Sequence, residues 1–378
     1  MSGSPFLPVA LGVLFFALTG PLAAQQPAPA DPWGVMRPFW ASRTMQNETL
    51  FFVADQPDQP ASARLLFEPT KILSVRSADL LTEYQEGKDF RLGPDGRSLV
   101  LPPGSRIPSK TLAQLYPAPD SPHSIRQRRD GASYLLFGEG HFFHDMQASV
   151  TYTHDDTWTG KAPTFQRQNL ARTIALLKER HALTISVSGD SISAGCNASL
   201  LTDAPPHQPA YPQLVATGLE RAYAARVTVK NHAVGGWKAN QGAADAPTLA
   251  ADKPNLVIIA YGMNDGYPAL YADSVRKIME AVRAVNPDAD FILVASMMGN
   301  SDWSGINPDK FVAFRDALAD LCGPGVALAD MTELWQELLK SKRFLDLTGN
   351  GVNHPNDFGH RLYAQTILAL LIEDYGRE

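Results

Sequence analysis

The chain has 378 residues, 44% hydrophobic and 19% charged, which is ordinary globular composition and enough length for two domains or one large one. A net charge of −6 leaves no basic footprint, which argues against nucleic acid as a partner.

Residues 1–24 stand apart. FLPVALGVLFFALTG is apolar but too short to span a bilayer comfortably, and PLAAQQPAPADP follows with small residues and prolines. That pattern predicts a signal peptide and linker, hence a secreted or periplasmic protein with no stable membrane insertion. No Lys or Arg precedes the apolar run, and Leu22 suits a small-residue cleavage site poorly, so an uncleaved anchor is the alternative.

From residue 25 to about 160, short apolar runs alternate with Pro, Gly and Asp: TLFFVAD, SARLLFEP, KILSVRSA, RSLVLPPG, SYLLFGEG and ASVTYTHDD. Short strands at turn-punctuated intervals predict an all-β, sandwich-like domain. Within it, GEGHFFHDM carries His141 and His144. Three apart on a strand they would face opposite ways, so no metal site is expected.

At APTFQRQNLARTIALLKERHA the period becomes helical, with Thr164 as a candidate N-cap and Leu170, Ile174 and Leu177 on one face. Thereafter LTISVSG, RVTVKNHA, NLVIIAYG, DFILVASM and GVALADM read as short buried strands. Helical stretches lie around 212–224, 270–285, 309–321, 332–342 and 358–374. Continuous apolar strands between helices require a parallel sheet covered on both faces. Residues 161–378 are therefore expected to form a three-layer α/β/α domain of about five parallel strands. The only cysteines, Cys196 and Cys322, are expected as free, buried thiols, although pairing is open.

In open α/β sheets the ligand site lies beyond the carboxyl ends of the strands. Gly189-Asp190-Ser191 follows the first strand there, NHAVGGW (231–237) the second, and YGMNDGY (261–267) the third. TGNGVNHPNDFGH (348–360) precedes the last helix. Polar and glycine residues thus gather on one sheet edge.

These four stretches, in this order and after these elements, resemble the conserved blocks of the SGNH hydrolases, also called the GDSL esterase/lipase family. The resemblance covers the α/β domain. It implies Ser191 as nucleophile and His354 as its general base, with an oxyanion hole made by the N–H groups of Ser191 and Gly236 and the amide of Asn264. Gly235 replaces Gly236 if the register slips by one. No cofactor or metal is implied. The family places an aspartate three residues before the histidine, but here that position is Gly351. A backbone carbonyl of the 350–352 turn is the expected partner of the imidazole. Asp346 or Asp357 folding in from elsewhere, or impaired catalysis, are the alternatives. Asp190 and Asp265 are expected to brace their loops. Trp237, Tyr261 and Trp303 are candidate substrate contacts.

The expected activity is an exported serine esterase that removes acetyl or other short acyl groups from an acetylated oligo- or polysaccharide. A broad-acyl lipase or thioesterase is the nearest enzymatic alternative. A non-catalytic glycan-binding protein with a hydrolase shell is the alternative from another class.

Overall fold

The computed structural model describes residues 34–126, 131 and 133–376, so the expected signal peptide lies outside the described residues. Among the described residues, nine strands belong to the β-rich part: β1 (Thr44–Ala54), β2 (Ser62–Arg64), β3 (Pro69–Ser77), β4 (Arg91–Leu92), β5 (Ser98–Val100), β6 (Ser109–Thr111), β7 (Ser124–Ile125), β8 (Leu135–Leu136) and β9 (Gln147–His154). Seven of them join one sheet of order β3-β9-β1-β2-β5-β4, with β6 added to β1, while β7 and β8 form a separate hairpin. The first part of β1 pairs with β9 and its last residues pair with β2 and β6, so one long strand serves both halves of the sheet.

The chain then alternates: α1 (Ala171–Lys178), β10 (Leu183–Gly189), α2 (Ser191–Ala194), α3 (Tyr211–Tyr223), β11 (Val227–Asn231), α4 (Ala239–Ala251), β12 (Leu256–Ala260), α5 (Pro268–Val285), β13 (Asp290–Ala295), α6 (Asp309–Ala319), β14 (Val326–Asp330), α7 (Met331–Leu338) and α8 (Asp357–Leu371). The five strands form a parallel sheet of order β11-β10-β12-β13-β14. Along β12 and β13 the side chains alternate between two apolar clusters. Ile258, Ile292 and Val294 enter one; Val257, Ile259, Phe291 and Leu293 enter the other. That period of two, with both faces buried, is the physical content of the three-layer architecture.

Two expectations about helices need correction. The first helix begins at Ala171, not beside Thr164, whose hydroxyl instead meets the Gln166 amide at 3.2 Å. The sequence also gave no warning of α4, an alanine-rich helix with Pro247 inside it and too little apolar contrast to mark a face. Cys196 and Cys322 are both free and partly buried. Among the described residues no helix is long and apolar enough to cross a membrane.

The β-rich and α/β parts share their core. One cluster runs from Leu50, Phe52 and Tyr152 to Leu362 and Ile367 of α8. Polar groups lock the same seam. Lys342, 1% exposed, pairs with the equally buried Glu48 of β1 and donates to the Arg64 carbonyl at 2.9 Å. Glu48 also accepts from Tyr152 Oη at 2.6 Å and Leu66 N at 2.9 Å. From α8, Arg361 donates to the Asn47 carbonyl at 2.6 Å, where β1 carries a bulge. Gln365 donates to the Arg37 carbonyl at 3.0 Å.

Candidate active site

The order β11-β10-β12 places the switch point of the sheet between β10 and β12, where a crevice opens at the strand ends. Asp190 caps the short helix α2 by accepting from Ile192 N at 3.0 Å, and this sets Ser191 at the helix start. Burial pushes the Asp190 carboxyl up to about 7, against the Ile192 N–H and the nearby His354, which favour its charge. Asp190 is thus a bracing residue with no contact to the serine hydroxyl.

His354 arrives from the loop before α8. Its Nε2 lies 2.9 Å from Ser191 Oγ, although 163 residues separate the two in sequence. The loop is organised by Asn350, whose Oδ1 accepts from the N–H groups of Val352, Asn353 and His354 at 3.0, 3.0 and 3.1 Å.

The surroundings of the other ring nitrogen depart from expectation. The carbonyls of 350, 351 and 352 accept from Gly138 N, Asn300 Nδ2 and Asn300 N respectively, so the turn carbonyls are committed elsewhere. Asp346 faces away, accepting from Phe51 N at 2.7 Å and Arg343 N at 3.0 Å. Asp357 accepts from Ser199 N at 2.8 Å. Neither aspartate reaches the imidazole, and burial raises both carboxyls. Besides Asn350 Nδ2 of its own turn at 3.1 Å, what meets His354 Nδ1 is Asn197 Oδ1 at 2.8 Å, with Glu139 Oε2 at 3.6 Å. Neither residue is legible in the sequence. Asn197 lies six positions beyond the serine in an unpatterned loop, and Glu139 belongs to the β-rich part. Its segment, GEGHFFHDM, is a turn and a short 3-10 helix, not the strand expected. His141 pairs with Asp145 at 2.6 Å and His144 meets the Pro205 carbonyl at 2.8 Å. Among the described residues no group of three or more His, Cys, Asp or Glu is placed to hold a metal ion.

Opposite the histidine, the loop after β11 is tied to the nucleophile helix by Asn231 Nδ2, which donates to the Ser193 carbonyl at 2.7 Å. A Cβ on Gly235 would lie 3.9 Å from that of Ser191, and Gly236 takes φ +78°, so this backbone passes close to the serine and then turns sharply. Among the described residues no hydrogen bond engages the N–H groups of Ser191, Gly235 or Gly236. Asn264 Nδ2 donates to the Trp237 carbonyl at 3.0 Å, leaving its second hydrogen available. The Asn264 loop is braced twice. Asp265 accepts from Ala239 N at 3.0 Å and Gly262 N at 3.1 Å, and Lys310 donates to the carbonyls of Met263 (2.7 Å) and Asp265 (3.1 Å).

The aromatic candidates fare differently. Tyr261 is 1% exposed, its hydroxyl 2.9 Å from Ser188 Oγ in the core, so it cannot line an open site. Trp237 and Trp303 are partly buried, packed on the two core clusters.

Residues 187–362 match the GDSL-like Lipase/Acylhydrolase family, a segment that contains Ser191, Gly236, Asn264 and His354. No curated protein sequence matches the chain. Among solved structures, the chain is similar to a two-domain esterase active on acetylated mannans, at 22% identity over 58% of this chain and 56% of that one, with a TM-score of 0.47. The chain thus spans about half the length of that protein. It is similar at 18% identity to an acetyl-xylooligosaccharide esterase from Geobacillus (52% of this chain, 97% of that one, TM-score 0.42). A family 3 carbohydrate esterase from Talaromyces cellulolyticus is also 18% identical (49% and 94%, TM-score 0.39).

Proposed function

We propose that this chain, whose residues 187–362 match the GDSL-like Lipase/Acylhydrolase family, is an exported serine esterase releasing acetyl or other short acyl groups from a carbohydrate. The observation that carries the chemistry is the 2.9 Å approach of His354 Nε2 to Ser191 Oγ. Ser191 Oγ attacks the ester carbonyl while its proton passes to Nε2. The tetrahedral oxyanion is met by the N–H groups of Ser191 and Gly236 and by the Asn264 amide. The imidazolium gives its proton to the departing sugar oxygen, which leaves as a hydroxyl; water, losing a proton to Nε2, then attacks the acyl-serine, and that proton returns to Ser191 Oγ as the acid departs.

The carbohydrate assignment draws its support from the β-rich part that precedes the α/β part and from the export that residues 1–24 suggest. Export rests on the composition of residues 1–24.

Hydrolysis of short-chain aryl esters, compared between the native chain and Ser191→Ala, tests the chemistry. Asn264→Ala should lower kcat by about 10²–10³, the effect of losing one oxyanion donor. Equal rates in native and Ser191→Ala protein would overturn the esterase. Acetate release from acetylated xylan, pectin and sialic acids tests the substrate class, and a preference for long acyl chains would replace it with a lipase.

A further inference from the structure

We propose that Glu139 of the β-rich part is the charged positioning residue of His354, taking the place of the aspartate that the family's D-x-x-H turn would supply at position 351. The inference rests on the esterase function proposed above and adds to it that the active site is assembled from both parts of the chain.

Three observations converge on it. First, position 351 cannot hold the acid here. Gly351 has φ +91°, and a Cβ there would come within 2.5 Å of the Leu136 carbonyl and 2.7 Å of the Phe143 ring. Both obstacles belong to the β-rich part, in the same stretch of chain that carries Glu139. The segment that excludes an acid from the turn therefore brings one with it.

Second, Glu139 is held from both flanks. Gly138 N donates to the Asn350 carbonyl at 3.3 Å, and the Gly140 carbonyl accepts from Asn197 Nδ2 at 2.9 Å. Its own Oε1 accepts from Asn350 Nδ2 at 3.1 Å, which leaves Oε2 turned to the imidazole, 3.6 Å from Nδ1. Burial works to raise this carboxyl, but His354, Asn350 and Asn197 together hold it below the usual carboxylate range.

Third, the hydrogen inventory leaves room for a charge. Asn350 Nδ2 has two hydrogens and two acceptors besides the ring, Glu139 Oε1 at 3.1 Å and Asn353 Oδ1 at 2.9 Å. With Nε2 acting as base, Nδ1 carries the hydrogen and gives it to Asn197 Oδ1. A neutral amide fixes the ring but cannot balance the imidazolium that forms when Ser191 loses its proton. Glu139 supplies that negative charge without itself taking the proton. The other titratable groups facing His354 are the buried Asp190 behind the nucleophile and the neutral His360 on α8. Cys196 lies beside Asp190 and Glu139, its thiol pushed up by burial and then by those carboxylates. None of these faces solvent as the half-exposed Glu139 does.

The experiment uses the full chain with Glu139→Gln and Glu139→Asp. Glu139→Gln should lower kcat by about 10–100-fold while KM moves little, since the charge matters when the imidazolium forms. The acid limb of the kcat/KM profile should move down by about one pH unit, because an adjacent carboxylate favours protonated imidazole. Glu139→Asp should recover part of both. In the native chain, raising salt from 0.01 to 1 M should move the same limb downward, because the carboxylate is solvent-accessible. An unmoved limb and unchanged kcat in Glu139→Gln would overturn the assignment. Labelling of Ser191 by a fluorophosphonate separates the two levels. A native chain that neither hydrolyses esters nor labels at Ser191 sinks the esterase and Glu139 with it; labelling with an indifferent Glu139→Gln sinks Glu139 alone.

Discussion

The side-chain oxygen of Asn197 lies 2.8 Å from His354 Nδ1, and the orientation of that amide is fixed by its other end. Asn197 Nδ2 faces two carbonyls, Gly140 at 2.9 Å and Gly349 at 3.1 Å, so only Oδ1 can turn to the ring. The imidazole is thereby held with Nδ1 protonated and Nε2 free to take the serine proton. Asn197→Ala should therefore lower kcat by about 10²-fold, the low end of what a positioned base contributes, with little change in KM. Steady-state kinetics on an aryl acetate checks it. An unchanged kcat would mean that the ring needs no such support.

Lys342 and Glu48 form a pair buried on the seam between the β-rich and α/β parts. Removing one partner strands the other charge, which in buried pairs costs about 3–5 kcal/mol. Lys342→Met should show a loss of that size in urea unfolding, and adding Glu48→Gln should recover part of it. The recovery is incomplete because Leu66 N and Tyr152 Oη also bind Glu48. A Lys342→Met protein as stable as the native one would show that apolar packing alone holds the seam.

His360 is fully buried on α8, and burial lowers its ring from the ordinary 6.5 to about 4. Between those values the unfolded chain binds a proton that the folded chain refuses, so stability falls as pH drops through this window. His360→Gln should flatten the dependence of unfolding free energy on pH between about 6.5 and 4, whatever it does to stability at pH 8. Urea titrations at several pH values measure that slope; an unaltered slope would locate the acid sensitivity elsewhere.

The α/β part was largely legible in the sequence because its strands are buried on both faces. LTISVSG matches β10 residue for residue, and DFILVASM contains β13. Order on the sheet edge was legible too, since each block follows its strand directly. What stayed hidden was lateral. Asn197, Glu139 and Lys310 act through contacts made across 157, 215 and 47 positions respectively, from His354 for the first two and from Met263 for the third. No periodicity marks such contacts. The empty position at 351 was visible, but not the Phe143 ring and Leu136 carbonyl that keep it empty.

The shared core beneath α8 also bears on how such a chain can be rearranged. A glycan-binding appendage on a tether can be exchanged between enzymes with little harm. Here, trimming away residues 34–154 would uncover Lys342, Arg361 and Gln365 together with the apolar flank of the last helix. Recombination would thus have to carry both halves as a single inheritable block.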